Sequence, residues 1–182
     1  ILPTPTIGAV GLITDTDDAI VGVAREGHMA ILIGKTLGHL GQSALLAEVF
    51  NRVEGDAPPV NLADEKKNGE FIRDNSTWIT ACTDLSDGGL ALAAFEMAEE
   101  AGVGISLDTD DTAELFGEDQ ARYLVACNFD QAEALMAAAG NAGVSVSCVG
   151  SFGGTNVRFG KSQVDLAELS EIFRSSFAAA VT

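Results

Sequence analysis

The sequence predicts an α/β fold in which helices pack on a mixed sheet. Short runs of β-branched and apolar residues alternate along the chain with longer segments whose apolar residues recur at helical spacing. Toward the C-terminal end, Gly160-Lys161-Ser162 separates two short β-prone runs, which indicates a hairpin. Strands that alternate with helices, combined with a hairpin, favour a sheet that contains both parallel and antiparallel neighbours.

Each element is predicted from its local composition, with strands at apolar runs and helices between a capping residue and a glycine. Pro3 and Pro5 are expected to keep the start of the chain extended. The predicted strands are residues 7–13, 29–33, 77–82, 105–107, 122–127, 144–149, 155–159 and 163–164. The predicted helices are residues 43–50, 64–74, 90–101, 131–139 and 166–177. Their expected caps are, in the same order, Gln42 or Ser43, Asp64, Asp87, Asp130 in a capping box with Glu133, and Asp165 in a capping box with Glu168.

A turn-rich segment divides the chain near residue 60. The run 53–59 contains Gly55, Pro58 and Pro59, disfavours helix and offers little that could be buried. We therefore expect residues 1–60 to be the end of one sheet-forming domain and residues 61–182 to form a second, α/β domain.

Composition limits the classes of partner. The net charge is −17 and Lys plus Arg number only ten, so a nucleic-acid backbone is not an expected partner. No apolar run approaches the roughly 20 residues of a membrane span, and no signal sequence precedes Ile1, so we expect a cytoplasmic protein without a membrane partner. Cys82, Cys127 and Cys148 lie in β-prone runs without metal-site spacing, which predicts buried, reduced thiols.

The functional prediction centres on the turn between a strand and the Ala-rich helix, residues 83–90. Asp84 ends the strand, Asp87 follows three residues later, and Gly88 with Gly89 opens the helix. In one interpretation these residues only cap the helix. In the other, the glycines let a ligand approach the first amides of the helix while Asp84 holds a divalent cation.

A second glycine-containing sequence, Gly34-Lys35-Thr36, has some likeness to a phosphate-binding loop. The G-x-x-x-x-G-K pattern requires a glycine at the position that Met29 occupies. We therefore reject this segment as a Walker motif.

Several motifs together resemble phosphoribosylformylglycinamidine synthase, the ATP-dependent amidotransferase of purine synthesis. They are the runs Asp84–Ala91 (DLSDGGLA), Leu115–Leu124 (LFGEDQARYL), Pro3–Gly8 (PTPTIG) and Ile33–Gly38 (IGKTLG). The resemblance covers nearly the whole chain and identifies it as the last part of a much longer enzyme. It implies the end of a second N-terminal-type domain followed by a C-terminal domain like that of aminoimidazole ribonucleotide synthetase.

The resemblance implies that full-length relatives convert formylglycinamide ribonucleotide to its amidine with ATP and glutamine-derived ammonia. The catalytic histidine of the family lies upstream of this chain, so we expect no catalytic residue here and no activity of the chain alone. By the same resemblance, Asp84 matches a Mg²⁺-binding position. Glu118 and Gln120, which flank Asp119 where the family has Ser, match a run that contacts substrate. Asp84 with Asp87, Gly88, Gly89, Glu118 and Gln120 is thus the candidate auxiliary site for Mg²⁺ and ATP or ADP.

The expected partners are the rest of the synthase chain, a glutaminase subunit and a small accessory subunit, again by resemblance. Two alternatives stay open: a related ATP-using family, such as aminoimidazole ribonucleotide synthetase or thiamine monophosphate kinase, and a non-catalytic nucleotide-binding module. We also expect a homodimer. Val10, Leu12, Ile31 and Ile33 would lie on two strands whose natural cover is absent.

Overall fold

The computed structural model describes residues 6–181, which form one mixed sheet with helices on both faces. The strands are β1 (Met29–Ile33), β2 (Ala81–Asp84), β3 (Ile105–Leu107), β4 (Tyr123–Cys127), β5 (Val146–Phe152), β6 (Asn156–Phe159) and β7 (Ser162–Asp165). The helices are α1 (Leu62–Asp74), α2 (Gly89–Ala101), α3 (Thr112–Phe116), α4 (Phe129–Ala142) and α5 (Leu166–Ala180). Short helical turns occur at Thr16–Asp18, Leu45–Val49 and Ser76–Trp78. The predicted α/β class is confirmed.

The seven strands lie in the order β2-β4-β1-β5-β3-β6-β7. Only β3 and β6 pair in parallel, and the other neighbours are antiparallel. Side chains alternate between the two faces of β1 because successive residues of a strand point to opposite sides. Ala30 and Leu32 join the core beneath α2, whereas Ile31 and Ile33 join the core beneath α1 and α4.

Strand β1 comes from the part of the chain that precedes the predicted domain boundary, yet it lies inside the common sheet. It pairs with β4 on one side and with β5 on the other. The division near residue 60 stays a prediction, but the sheet itself crosses it. Ile31 and Ile33 are completely buried, so the expectation that they form part of an uncovered patch is wrong.

The predicted strand 7–13 does not form. Residues 6–13 have no regular secondary structure, and Ile7, Val10 and Leu12 are almost fully exposed. No neighbouring strand among residues 6–181 pairs with this segment, and an isolated strand lacks partners for its backbone groups. The predicted extended start at Pro3 and Pro5 lies outside the described residues.

Several predicted caps shift because a side chain caps a helix only from the residue at which the backbone leaves helical geometry. Asn61 caps α1 in place of Asp64. A capping box of Asn128 and Gln131 begins α4 in place of Asp130 and Glu133. The predicted capping of α5 by Asp165 is confirmed. In the predicted helix 43–50, only the turn Leu45–Val49 is helical. The Ser43 hydroxyl there accepts a hydrogen bond from the Leu46 amide.

The cysteines only partly match their prediction. Cys127 is buried, Cys82 is half-buried and Cys148 is exposed. Burial raises the pKa of Cys82 and of Cys127 to about 11, so both thiols stay protonated near neutral pH. None of the helices formed by residues 6–181 has the length and apolar character that a membrane crossing requires.

The segments singled out in the sequence meet at one end of the sheet. Asp84 at the end of β2 and Ile33 at the end of β1 both lie opposite Tyr123, the first residue of β4. Gly34-Lys35-Thr36, the turn 84–89 and the loop 117–122 therefore share this end, because each directly follows or precedes one of these strand ends.

Candidate functional site

The turn 84–89 presents two exposed carboxylates at the end of the sheet. Asp84 and Asp87 are both exposed. Within residues 6–181, neither carboxylate accepts a hydrogen bond or forms an ion pair. Gly88 is the N-cap of α2, and no side chain of the turn caps the helix, so the prediction that Asp87 caps it is wrong. The simplest structural role for the two aspartates is thereby removed.

Glu118 serves the start of α2 instead. Its carboxylate oxygen Oε1 accepts hydrogen bonds from the amides of Gly88, at 2.9 Å, and Ala44, at 2.8 Å. Glu118 is only 9% exposed, so these two amides satisfy a charge that would otherwise be costly to bury. One carboxylate thus ties the turn 84–89 to the segment that precedes Leu45–Val49.

The paired glycines of the turn are required by protein packing. Gly88 and Gly89 have φ values of 76° and 61°, in the region that favours glycine. A Cβ on Gly89 would lie 2.5 Å from the carbonyl oxygen of Gly117, and one on Gly88 would lie 2.8 Å from Cβ of Leu92. The amide of Gly89 donates to the carbonyl of Ser86. The space beside these glycines is therefore filled by the protein itself.

Asp119, beside Glu118, has the same kind of structural role. Its carboxylate accepts bonds from the amides of Leu37, at 2.8 Å, Gly38, at 2.9 Å, and His39, at 3.3 Å. It is 4% exposed. These three amide donors fix the segment that follows Gly34-Lys35-Thr36.

Arg122 holds the loop 117–122 together from within. Its side chain is completely buried and donates to the carbonyls of Gly117 and Asp119 and to the hydroxyl of Thr36. Burial lowers the pKa of Arg122, while the charges of Asp119 and Glu118 oppose that shift. The guanidinium provides the positive charge that the two buried carboxylates of the loop need.

The surroundings of Asp84 are acidic. Partial desolvation, followed by the charge of Asp84, raises the pKa of Glu96 on α2. Burial is the main cause of a raised pKa at Tyr123, and the charges of Glu65, Cys82 and Asp84 add to it. Oxygen ligands in a negative field suit a hard cation such as Mg²⁺. No group of three or more His, Cys, Asp and Glu side chains within residues 6–181 is arranged to hold a metal ion.

The structure separates the predicted site residues into three environments. Asp84 and Asp87 face solvent on the turn, whereas Glu118 points inward beneath it. Gln120 is exposed and lines a separate cleft beside α1, away from the turn. The predicted set therefore does not form one site: the carboxylates of Asp84 and Asp87 are exposed together on the turn, and Gln120 is exposed in a different cleft.

Two important residues receive no specific role from the sequence. Arg122 is predicted only as the first residue of a strand, and Glu96 only as part of a helix. The sequence does contain a signal for Arg122: it comes directly before the apolar run of β4 and shortly after the two acids Glu118 and Asp119. This position indicates a buried cation that pairs with those acids. Glu96 has no comparable signal, because its proximity to Asp84 arises from the packing of α2 on the sheet.

Comparison with known proteins relates this chain to one protein family. A family model described as AIR synthase related protein, C-terminal domain, matches residues 17–159. Over 181 residues, all of this chain, the sequence is 67% identical to phosphoribosylformylglycinamidine synthase subunit PurL of Ruegeria sp. (strain TM1040). The chain spans about a quarter of the length of the curated relatives it matches, in their C-terminal part.

Two solved structures share the fold. The structure of T. maritima PurL complexed with FGAR has a TM-score of 0.70 and 16% identity, over 85% of this chain and 30% of that one. T. maritima PurL complexed with ADP has a TM-score of 0.63 and 17% identity, over 85% of this chain and 27% of that one. At these identities the likeness concerns the fold alone.

Proposed function

The chain belongs to the AIR synthase related family and matches the C-terminal part of phosphoribosylformylglycinamidine synthase, and on this premise we propose that it contributes structure and an auxiliary Mg²⁺–nucleotide site to that synthase. The observation that carries the site is the pair of exposed carboxylates on the turn 84–89. Asp84 and Asp87 do no capping, since Glu118 binds the Gly88 amide in their place. Two carboxylates without a structural partner among residues 6–181, at a strand end, are suited to a ligand.

In the reaction proposed for the whole synthase, ATP phosphorylates the amide oxygen of formylglycinamide ribonucleotide. Ammonia derived from glutamine then displaces the phosphate to give formylglycinamidine ribonucleotide. We assign no residue of this chain to that chemistry, and we expect the chain alone to be inactive. Its contribution is to hold the fold and the auxiliary nucleotide, beside the rest of the synthase chain, a glutaminase subunit and a small accessory subunit.

At the auxiliary site, Asp84 would bind the cation directly. Asp87 would lie beside Asp84 and would contact either a water molecule bound to the cation or a hydroxyl of the nucleotide. The cation supplies neutralisation of phosphate charge, which an acidic turn cannot provide by itself. Glu118 and the glycines position the turn and do not touch the ligand. ADP bound to T. maritima PurL supports nucleotide binding within the family.

Identity of 67% along the whole chain supports this synthase in preference to the related ATP-using families and to a non-catalytic nucleotide-binding module.

The test is thermal unfolding of the chain with Mg²⁺ and ADP together. A ligand at tenfold excess over its Kd stabilises the folded state by about 1.4 kcal/mol, and Asp84→Asn should abolish that gain without lowering the melting temperature measured in the absence of ligand. Asp130→Asn, which changes an exposed aspartate on α4, is the matched control and should keep the full gain. An undiminished gain in Asp84→Asn would place the nucleotide elsewhere.

A further inference from the structure

A cleft of about 450 Å³ opens at the same end of the sheet but on the side of α1. It is lined by Gly34, Lys35, Leu37 and residues 119–121, together with residues 59–61, three residues of α1 and residues 143–145. No residue of the turn 84–89 lines it. Of the predicted site residues only Gln120 reaches this cleft, so it is a different place from the proposed nucleotide site.

The base of the cleft is a preformed backbone arrangement. Gly34 has a φ of 104°, and a Cβ there would lie 2.4 Å from the carbonyl oxygen of Ala121. Ala121 itself has a φ of 59°, which is unusual for a residue with a side chain. Asn68, 6% exposed, holds this conformation by donating from Nδ2 to the Ala121 carbonyl at 2.8 Å. Backbone held in such a conformation is often found where a site is preorganised.

Positive charge is concentrated in this cleft. The chain has only four lysines, and two of them, Lys35 and Lys67, line it. Lys67 donates one bond, from Nζ to the carbonyl of Gly143 at 2.6 Å, which leaves two of its three N–H donors for a ligand. Lys35 has no hydrogen bond or ion pair within residues 6–181. The chain as a whole is strongly acidic, with a net charge of −17, so a cleft that contains two lysines with unused donors differs from the rest of the molecule.

The two acids of the cleft are already engaged by donors. The carboxylate of Asp119 accepts the amides of Leu37, Gly38 and His39. Asp64 accepts a bond from Nδ2 of Asn61 at 2.7 Å. Neither forms an ion pair with Lys35 or Lys67 within the described part of the chain, so the ammonium groups stay available to an anion from solution.

We propose that this cleft binds a small phosphate monoester, with the phosphate between Lys35 and Lys67. Ammonium groups are established phosphate ligands. The side-chain amides of Gln120 and Asn61 each donate one hydrogen bond within the protein, to the carbonyl of Glu118 and to Asp64, and keep a second N–H as a neutral donor in the cleft. Leu37 and Val60, which are 76% and 62% exposed, give the same cleft an apolar wall with Pro59. A phosphate monoester matches this lining, because its phosphate would lie between the lysines and its organic group would pack against the apolar wall.

The test is an NMR titration of the isotope-labelled chain with ribose 5-phosphate and, separately, with inorganic phosphate, in the absence of Mg²⁺ and nucleotide. Shifts should be concentrated at residues 34–37, 61–68 and 119–121, and ribose 5-phosphate should bind more tightly than inorganic phosphate because only it reaches the apolar wall. Lys35→Gln should weaken binding of ribose 5-phosphate by at least about tenfold, since it removes one charge that contacts the phosphate. The Lys35 side chain makes no hydrogen bond or ion pair within residues 6–181, so the fold should be unaffected.

Lys66→Gln is the matched control, because Lys66 precedes Lys67 on α1 but pairs with Glu70 and does not line the cleft. It should change the affinity by less than about twofold. Asp84→Asn should also leave the affinity unchanged, which separates this cleft from the proposed nucleotide site. Absence of binding at millimolar ligand, or equal weakening by Lys35→Gln and Lys66→Gln, would overturn the proposal.

Discussion

The turn 84–89 and the loop 117–122 contain the same chemistry but use it in opposite ways. Each has two carboxylates close together at the same end of the sheet. In the loop, Glu118 and Asp119 are buried and accept five backbone amides between them. In the turn, Asp84 and Asp87 are exposed and accept none from residues 6–181. The comparison shows that the role of an acidic motif depends on the backbone amides around it. Carboxylates that receive hydrogen bonds from amides hold the structure together, whereas carboxylates that receive none are left for a ligand.

This difference has an energetic consequence. A buried amide that loses its acceptor costs roughly 1–3 kcal/mol, because the group has already given up water. Removing a carboxylate of the loop should therefore destabilise the protein, whereas removing one of the turn should not. We therefore expect substitutions in the loop to affect stability and substitutions in the turn to affect ligand binding, although the two segments have similar sequences.

The largest expected effect is at Arg122, whose buried charge balances the loop carboxylates. Arg122→Met should lower the free energy of unfolding by about 3–5 kcal/mol, because it leaves Asp119 buried without its cation and frees the carbonyl of Gly117. Chemical denaturation measures this directly. Arg73→Met removes an exposed pair with Asp74 and should have almost no effect on the denaturation midpoint, because solvent screens such a pair. Similar losses in the two variants would contradict the assignment of the loop as scaffold.

The next effect is at Glu118. Glu118→Ala leaves the amides of Gly88 and Ala44 without an acceptor and should cost about 2–4 kcal/mol. Glu118→Gln keeps an acceptor oxygen at the same position and should cost only about 1 kcal/mol. Glu133→Ala, at an exposed site on α4, is the control and should have almost no effect on the denaturation midpoint. If Glu118→Ala were as harmless as the control, the two amides would have to find another partner.

The smallest expected effect is a pH-dependent change in stability at Glu96, which lies close enough to Asp84 to be repelled by its charge. Desolvation and the charge of Asp84 raise the pKa of Glu96, so its ionised form disfavours folding. The stability that depends on its protonated form is complete below the ordinary pKa of about 4.3 and is lost as the pH rises through the raised pKa. Glu96→Gln should therefore be more stable than the parent chain at neutral pH, with the difference vanishing near about pH 3.5. Denaturation at the two pH values measures it. A gain that persists in acid would mean that the charge of Glu96 is not its cause.

Local patterns were sufficient to predict most of the sheet, but not the contacts between distant segments. Strands β1 and β3 were predicted with the bounds that the structure has, because their apolar runs end at glycine or aspartate. The segment 7–13 has an equally good strand pattern, yet no neighbour among residues 6–181 pairs with it. A strand pattern predicts the capacity to pair and says nothing about whether a partner is present.

The site was less predictable for the same reason. Asp84 and Asp87 could be identified on the turn from sequence, but the carboxylate that binds the Gly88 amide at the start of α2 is that of Glu118, 30 residues later. Likewise, the amides that Asp119 binds lie about 80 residues earlier. Such interactions depend on the packed fold, and a short motif contains no signal for them.

One measurement compares the two regions most directly: Asp84→Asn and Glu118→Gln are each unfolded thermally, with and without Mg²⁺ and ADP. We expect Asp84→Asn to melt no lower than the parent chain without ligand, since it removes only a charge that repels Glu96, and to gain nothing when ligand is added. We expect Glu118→Gln to melt at a lower temperature and yet keep the ligand-induced gain of the parent, because Glu118 supports the turn without touching the ligand. The reverse pattern, with Asp84→Asn destabilised and Glu118→Gln insensitive to the ligand, would contradict the division into binding turn and supporting loop.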